Sequence, residues 1–151
     1  MGSVTYGNGD DVSPHELADF YDRVSHKLDV GTQRIEQMLN KSLAFVSARL
    51  DGKLVGIARG LSDGVRGYFT ECKLDPSLQG PAAVTKTDGR IEHDEHGIAM
   101  EMARRVLEKL ESSGVRRIDV LAYGTETDFL ESLGFRKTGG LVGMTMRMNH
   151  N

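Results

Sequence analysis

The chain has 151 residues, 38% apolar and 27% charged, and its 19 basic against 22 acidic side chains give a net charge of −3. That length and balance fit one globular domain. The longest apolar stretches, around Leu43–Val46 and Val120–Tyr123, are strand-sized, which excludes a transmembrane helix of ~20 consecutive apolar residues, and the net charge argues against general nucleic-acid binding, which favours a strongly basic face.

In chain order, Val4–Gly7 reads as a short strand. Ser13-Pro14-His15-Glu16 is a helix-start signal, with Ser13 as N-cap and Pro14 in the first helical position. Leu17, Phe20, Tyr21, Val24 and Leu28 then follow helical spacing, and Thr32 caps a second short helix through Ile35, Met38 and Leu39. Leu43–Leu50, Lys53–Leu61 and Arg66–Leu74 read as an antiparallel meander, joined by Asp51-Gly52 and Asp63-Gly64, dipeptides that favour hairpin turns. Gly97–Ser112 is the strongest helix: Ile98, Met102, Val106 and Leu110 form one stripe, and Gly114 stops it. Arg117–Tyr123 is a strand, Thr125–Leu133 a short helix, and Arg136–Gly140 and Val142–Met148 are final strands. Strand four, long helix and strand five make a crossover, so those two strands are expected to be parallel. The lone cysteine, Cys72, excludes an internal disulfide framework and fits a cytoplasmic setting, and the polar run from Met1 to Asp11 does not read as a signal peptide.

The chemistry concentrates between strand four and the long helix. Leu74-Asp75-Pro76-Ser77-Leu78-Gln79-Gly80 joins His96-Gly97-Ile98-Ala99 if residues 81–95 are set aside. A strand end, a glycine-rich turn and a helix N-terminus form a phosphate cradle, because the turn's N–H groups and the helix dipole both favour an anion. Within 81–95, Val84–Thr87 and Arg90–His93 flank Asp88-Gly89, which predicts a hairpin insertion at the mouth of that cradle. Such a hairpin would serve as a lid, a dimer arm or a substrate gate, or be a harmless surface insertion.

The rejoined motif resembles the pyrophosphate-binding motif Q/R-x-x-G-x-G/A of the GNAT N-acetyltransferase superfamily. The resemblance extends along nearly the whole chain. Lys53–Arg59 is similar to the family's third strand, Cys72-Lys73-Leu74-Asp75-Pro76 to its V-x-V-x-P, and Phe129–Phe135 to its F-Y-x-x-x-G-F. It implies an α/β (α+β) GNAT fold: a mixed, mostly antiparallel twisted sheet, a parallel splay between strands four and five, and about four helices. The single domain would span residues 1–151. The activity implied is acyl transfer, most simply from acetyl-CoA, to a primary amine of a small molecule by direct attack on the thioester. By the same resemblance the pantetheine arm pairs with the backbone of Cys72, Lys73 and Leu74. The pyrophosphate would then lie on Gln79, Gly80, Gly97, Ile98 and Ala99, with His96 beside it.

Glu71, on strand four next to the expected splay, is the candidate general base; a structural salt bridge is the plainer role. The family's general-acid tyrosine position holds Leu130, which cannot donate a proton; Tyr123 is the candidate substitute, or a half-buried aromatic. His93, Asp94, Glu95 and His96 have metal-ligand chemistry by residue type, but neighbours in an extended run point to opposite sides, so no metal is expected. Asp22, Arg23 and His26 on the first helix are candidates for the acceptor pocket. Met144, Met146 and Met148 alternate as one strand face, which fits core packing or a homodimer. Two alternatives stay open: a catalytically weakened acyl-CoA-binding or sensing module, and a protein or aminoacyl-tRNA acetyltransferase, the tRNA version being disfavoured by the net charge.

Overall fold

The computed structural model describes residues 2–24, 26–81, 83 and 88–148. Five strands form one sheet in the order β1-β2-β3-β4-β5: Val4–Gly7, Ala44–Leu50, Lys53–Ser62, Gly67–Leu74 and Ile118–Asp119. The first four are antiparallel neighbours, and β4 pairs with β5 in parallel. Four helices accompany them: α1 Pro14–Arg23, α2 Thr32–Lys41, α3 Ile98–Ser112 and α4 Thr127–Ser132. This is the mixed sheet with a parallel β4–β5 pair that the sequence predicts.

Local chemistry sets the element ends. The Ser13 hydroxyl accepts the Glu16 N–H at 3.1 Å, and Pro14 costs nothing where no intrahelical donor is needed. Between β2 and β3, Asp51 and Gly52 have φ of 51° and 87°, the two left-handed residues of a type I′ turn.

The sheet is covered on both faces, so β2 and β3 are buried nearly throughout. On one face α3 sets Ile98, Met102, Val106 and Leu110 against Val46, Ala58, Cys72 and Leu74. On the other, Leu17, Phe20 and Tyr21 of α1 and Ile35 of α2 pack on Phe45, Leu54 and Ile57.

The structure departs from the sequence reading at several places, among them the cap of α2, which is Gly31 rather than Thr32. α1 ends at Arg23 rather than continuing to Leu28, with the Val24 N–H closing on the Phe20 carbonyl at 3.1 Å. β5 is two residues long, not seven. Arg136–Gly140 and Val142–Met148 form no strands: a strand needs a laddered partner, and this stretch is exposed end to end, Met144 at 89%.

Of the expected hairpin, 84–87 lie outside the described residues, and Arg90–His93 is not a strand. The described part of the insertion is not a surface excursion either. Ile91 is 0% exposed and belongs to the α3-side core. Ile91→Ala should therefore cost about 2–4 kcal/mol in urea unfolding, as truncation of a core side chain does. A loss under about 0.5 kcal/mol, the level of a surface change, would contradict this packing.

Candidate active site

β4 and β5 pair only at Gly67↔Ile118 and Tyr68↔Asp119. Immediately beyond, the β3–β4 register slips between Arg59↔Glu71 and Gly60↔Phe69, which makes Thr70 an extra, bulged residue. The strands part here, and a cavity of about 170 Å³ opens between them, lined by residues of β4, Arg90, Tyr123, Glu126 and Leu130. The buried Thr70 hydroxyl has no hydrogen-bond partner among the described residues.

Glu71 reaches this cavity with both oxygens engaged. One accepts the Tyr21 hydroxyl; the other accepts Arg59 Nη2 at 3.1 Å and Nε at 3.3 Å. Burial, then the Glu71 charge, pushes the Tyr21 phenol well above its ordinary range, so it stays a neutral donor. Lys73 is buried, its ammonium donating to the Asp88 carbonyl at 2.7 Å, and burial lowers its pKa. Glu126 is a residue the sequence reading did not single out. It lies in the turn Gly124–Glu126, a short segment whose only local signal is its turn chemistry, and its side chain accepts the Tyr123 N–H at 3.1 Å. Burial raises its pKa above the ordinary carboxylate value, outweighing that bond and the nearby Lys73 and Arg90 charges.

The other singled-out residues fall as follows. Tyr123 is 63% exposed, and the Arg90 guanidinium lies 4.1 Å above its ring. Leu130 is buried in the α3-side core. Cys72 faces α3, with Sγ 3.9 Å from the Ala99 carbonyl, and burial raises its thiol pKa strongly. Of the three candidates at the end of α1, His26 lines the cavity, Asp22 lines a separate groove with Tyr21 and Lys27, and Arg23 donates to the Leu54 carbonyl. His93, Asp94, Glu95 and His96 do not converge: among the described residues no group of three or more metal-ligating side chains is placed to hold a metal.

Gln79 and Gly80, the first half of the glycine-rich motif, come against Glu95, the residue that precedes the second half at His96–Ala99. The Gln79 carbonyl accepts the Glu95 N–H at 3.3 Å, and Gly80 lies against the Glu95 side chain. Gly97 adopts φ 72° as it starts α3, with open space on the side a Cβ would take. The Gln79 side chain is fully buried: Nε2 donates to the Leu74 and Arg90 carbonyls at 3.1 and 2.8 Å, and Oε1 accepts the Glu92 and His93 N–H groups at 2.9 and 3.3 Å. The donors around this turn suit an amide carbonyl on the strand and an anion on the helix. The chain itself engages them. Leu74 N–H donates to the Gly89 carbonyl at 2.9 Å, and Ala99 and Met100 N–H each donate to an Asp94 carboxylate oxygen at 2.9 Å.

No family model matches the chain, and no curated protein matches it in sequence. Solved structures do. A GNAT-family acetyltransferase of Streptococcus pneumoniae is 18% identical with a TM-score of 0.69, over 98% of this chain and 100% of that one. A glucosamine-6-phosphate N-acetyltransferase of Arabidopsis thaliana is 8% identical with a TM-score of 0.70, over 97% and 99%. An aminoglycoside N-acetyltransferase solved in complex with CoA is 16% identical with a TM-score of 0.65, over 97% and 95%. The chain has the GNAT fold.

The raised pKa of Glu126 makes stability depend on pH with a definite sign. Between the ordinary glutamate value, about 4.3, and its higher folded value, the folded chain holds a proton that the unfolded chain has lost. This side chain's contribution is therefore complete below about 4.3 and fades as pH rises through the folded value. Glu126→Gln keeps an oxygen for the Tyr123 N–H and removes the titration. Unfolding curves across pH should show the variant gaining on the parent from mildly acidic to neutral pH. A constant gap, or a parent that gains instead, would contradict the assignment.

Proposed function

We propose that this chain is an N-acyltransferase that moves an acyl group, most simply acetyl, from acyl-CoA to the primary amine of a small molecule. The observation that carries the reading is a coincidence of place: the β4–β5 splay holds two carboxylates, Glu71 and Glu126, and beyond the end of β4 Gln79 bonds Glu95, three residues before α3 begins. The GNAT fold supports it, and two of the matched structures are acetyltransferases named for amino-sugar acceptors.

Acyl-CoA supplies an activated thioester carbonyl. The chain's own residues must bind it, attract the acceptor ammonium and take its proton, because only the neutral amine is a nucleophile. Backbone groups of Cys72, Lys73 and Leu74 take the pantetheine arm. The amides of Gln79, Gly80, Gly97, Ile98 and Ala99, with His96 beside them, take the pyrophosphate. Glu71, fixed by Tyr21 and Arg59, assists deprotonation directly or through water, and Glu126 is a second proton acceptor in the same cavity. The Tyr123 hydroxyl donates to the departing thiolate. Cys72 as a reduced thiol fits a cytoplasmic setting, and the exposed Met144, Met146 and Met148 fit packing against a second copy.

One observation favours a second reading, an acyl-CoA-binding module with little turnover: the position of the family's acid is Leu130, buried and without a proton to give. CoA-thiol release from acetyl-CoA against a panel of primary amines, set beside CoA binding, separates the two. Turnover with at least one amine, lowered about 10²-fold by Glu71→Gln with an altered pH–rate profile, supports the enzyme and the base. Binding without turnover on any amine favours the module. An unchanged profile in Glu71→Gln removes Glu71 from the proton path.

A further inference from the structure

We propose that residues 88–95 are a built-in occupant of the acyl-CoA groove, and that acyl-CoA binds only as this segment is displaced. The inference rests on the acyl-CoA reading and concerns the regulation of that same site.

The segment runs from the splay to the helix and satisfies the groove's donors in turn. At the strand end, Leu74 N–H points away from β3, because the next residue, Asp75, sends its N–H to Val55 of β3 at 2.9 Å. Leu74 therefore offers its donor to the open side of the splay, and the Gly89 carbonyl takes it at 2.9 Å. Beside it, Lys73 donates to the Asp88 carbonyl at 2.7 Å. Across the gap, Arg90 lies over the Tyr123 ring, so the segment bridges the two diverging walls. At the far end, the Asp94 carboxylate accepts from Ala99 and Met100 at 2.9 Å each and sets a negative charge on the positive end of α3. An amide carbonyl on the strand and an anion on the helix are the two chemical groups that a pantetheine amide and a pyrophosphate would bring.

Two negative groups cannot share those helix amides. If residues 88–95 were a fixed wall of the cofactor site, Asp94 would repel the ligand from its strongest anion-binding point. If the segment leaves, the same donors are freed together: Gln79 bonds Arg90, Glu92 and His93, and Ile91 packs in the α3-side core, so opening gives up both of these holds at once. Gln79 is thus both part of the proposed cradle and the latch of its occupant. A groove filled by the chain lowers apparent affinity by the fraction of molecules that are open.

The test titrates CoA into the full chain, into Asp94→Ala, and into a chain in which one residue replaces 81–95, and follows trypsin cleavage after Arg90. Asp94→Ala should bind CoA ~10-fold or more tightly than the parent, as expected if it raises the open fraction by that factor. In the parent, CoA should speed cleavage after Arg90. If the parent binds CoA with Arg90 as protected as in the free protein, and Asp94→Ala binds no more tightly, the segment is a wall and the proposal is overturned while the acyl-CoA reading stands. If none of the three chains binds CoA, both fall. Should the shortened chain fail to fold, the Asp94→Ala titration and the Arg90 cleavage decide alone.

Discussion

A parallel strand pair that lasts two residues leaves the rest of its longer strand with unpaired backbone on one side. β4 continues for six residues beyond Tyr68 while β5 stops at Asp119. Buried N–H groups left without partners are costly, so the fold must supply acceptors from elsewhere. Much of the candidate site follows from that need. The parting strands make the cavity, the bulge at Thr70 marks the place where they part, and the Leu74 donor draws in the 88–95 segment. Gln79 then becomes a buried hub, because a polar side chain in the interior is stable only with its bonds made, and here both ends of its amide are used.

The charges around the cavity are arranged with opposing effects on their neighbours. Glu71 is held by Arg59 and Tyr21, which fixes its position and its two oxygens. Glu126 is taken out of water without a comparable partner, and its affinity for a proton rises. Lys73, buried between them in sequence and tied to the Asp88 carbonyl, loses affinity for its own. Under the proposed acyl transfer, the fixed Glu71 and the upward-tuned Glu126 are the two carboxylates in the cavity that an acceptor ammonium would meet.

The sheet and its helices were legible because their signals are local and periodic. Ser13-Pro14, Asp51-Gly52 and the Ile98–Leu110 stripe each carry their own chemistry, and each element formed where that chemistry puts it. The strand reading of Arg136–Met148 failed because alternation reports only that a residue run suits a strand; the partner ladder is non-local. Of the motif, what the sequence could not show is that the chain comes back across the interruption, bringing Glu95, the residue before His96, against Gln79 and Gly80. What could not be read was the direction of the side chains. Asp94 looked like one member of an acidic-histidine run, and its role as the carboxylate on the α3 N-terminus depends on a turn in which Gly97 N–H bonds the Asp94 carbonyl at 3.1 Å. Glu126 carries no motif, and burial alone distinguishes it.

The central claim is that the donors at the end of β4 and the start of α3 serve one groove, held by the chain's own residues 88–95 until a ligand takes it. Amide NMR during a CoA titration reads those donors one by one. The account predicts that the Leu74, Ala99 and Met100 amides shift together on binding, while the Glu92 and His93 amides, which donate to Gln79, lose protection from hydrogen exchange. Shifts confined to other parts of the sheet, or CoA binding with Glu92 and His93 still protected, would contradict it.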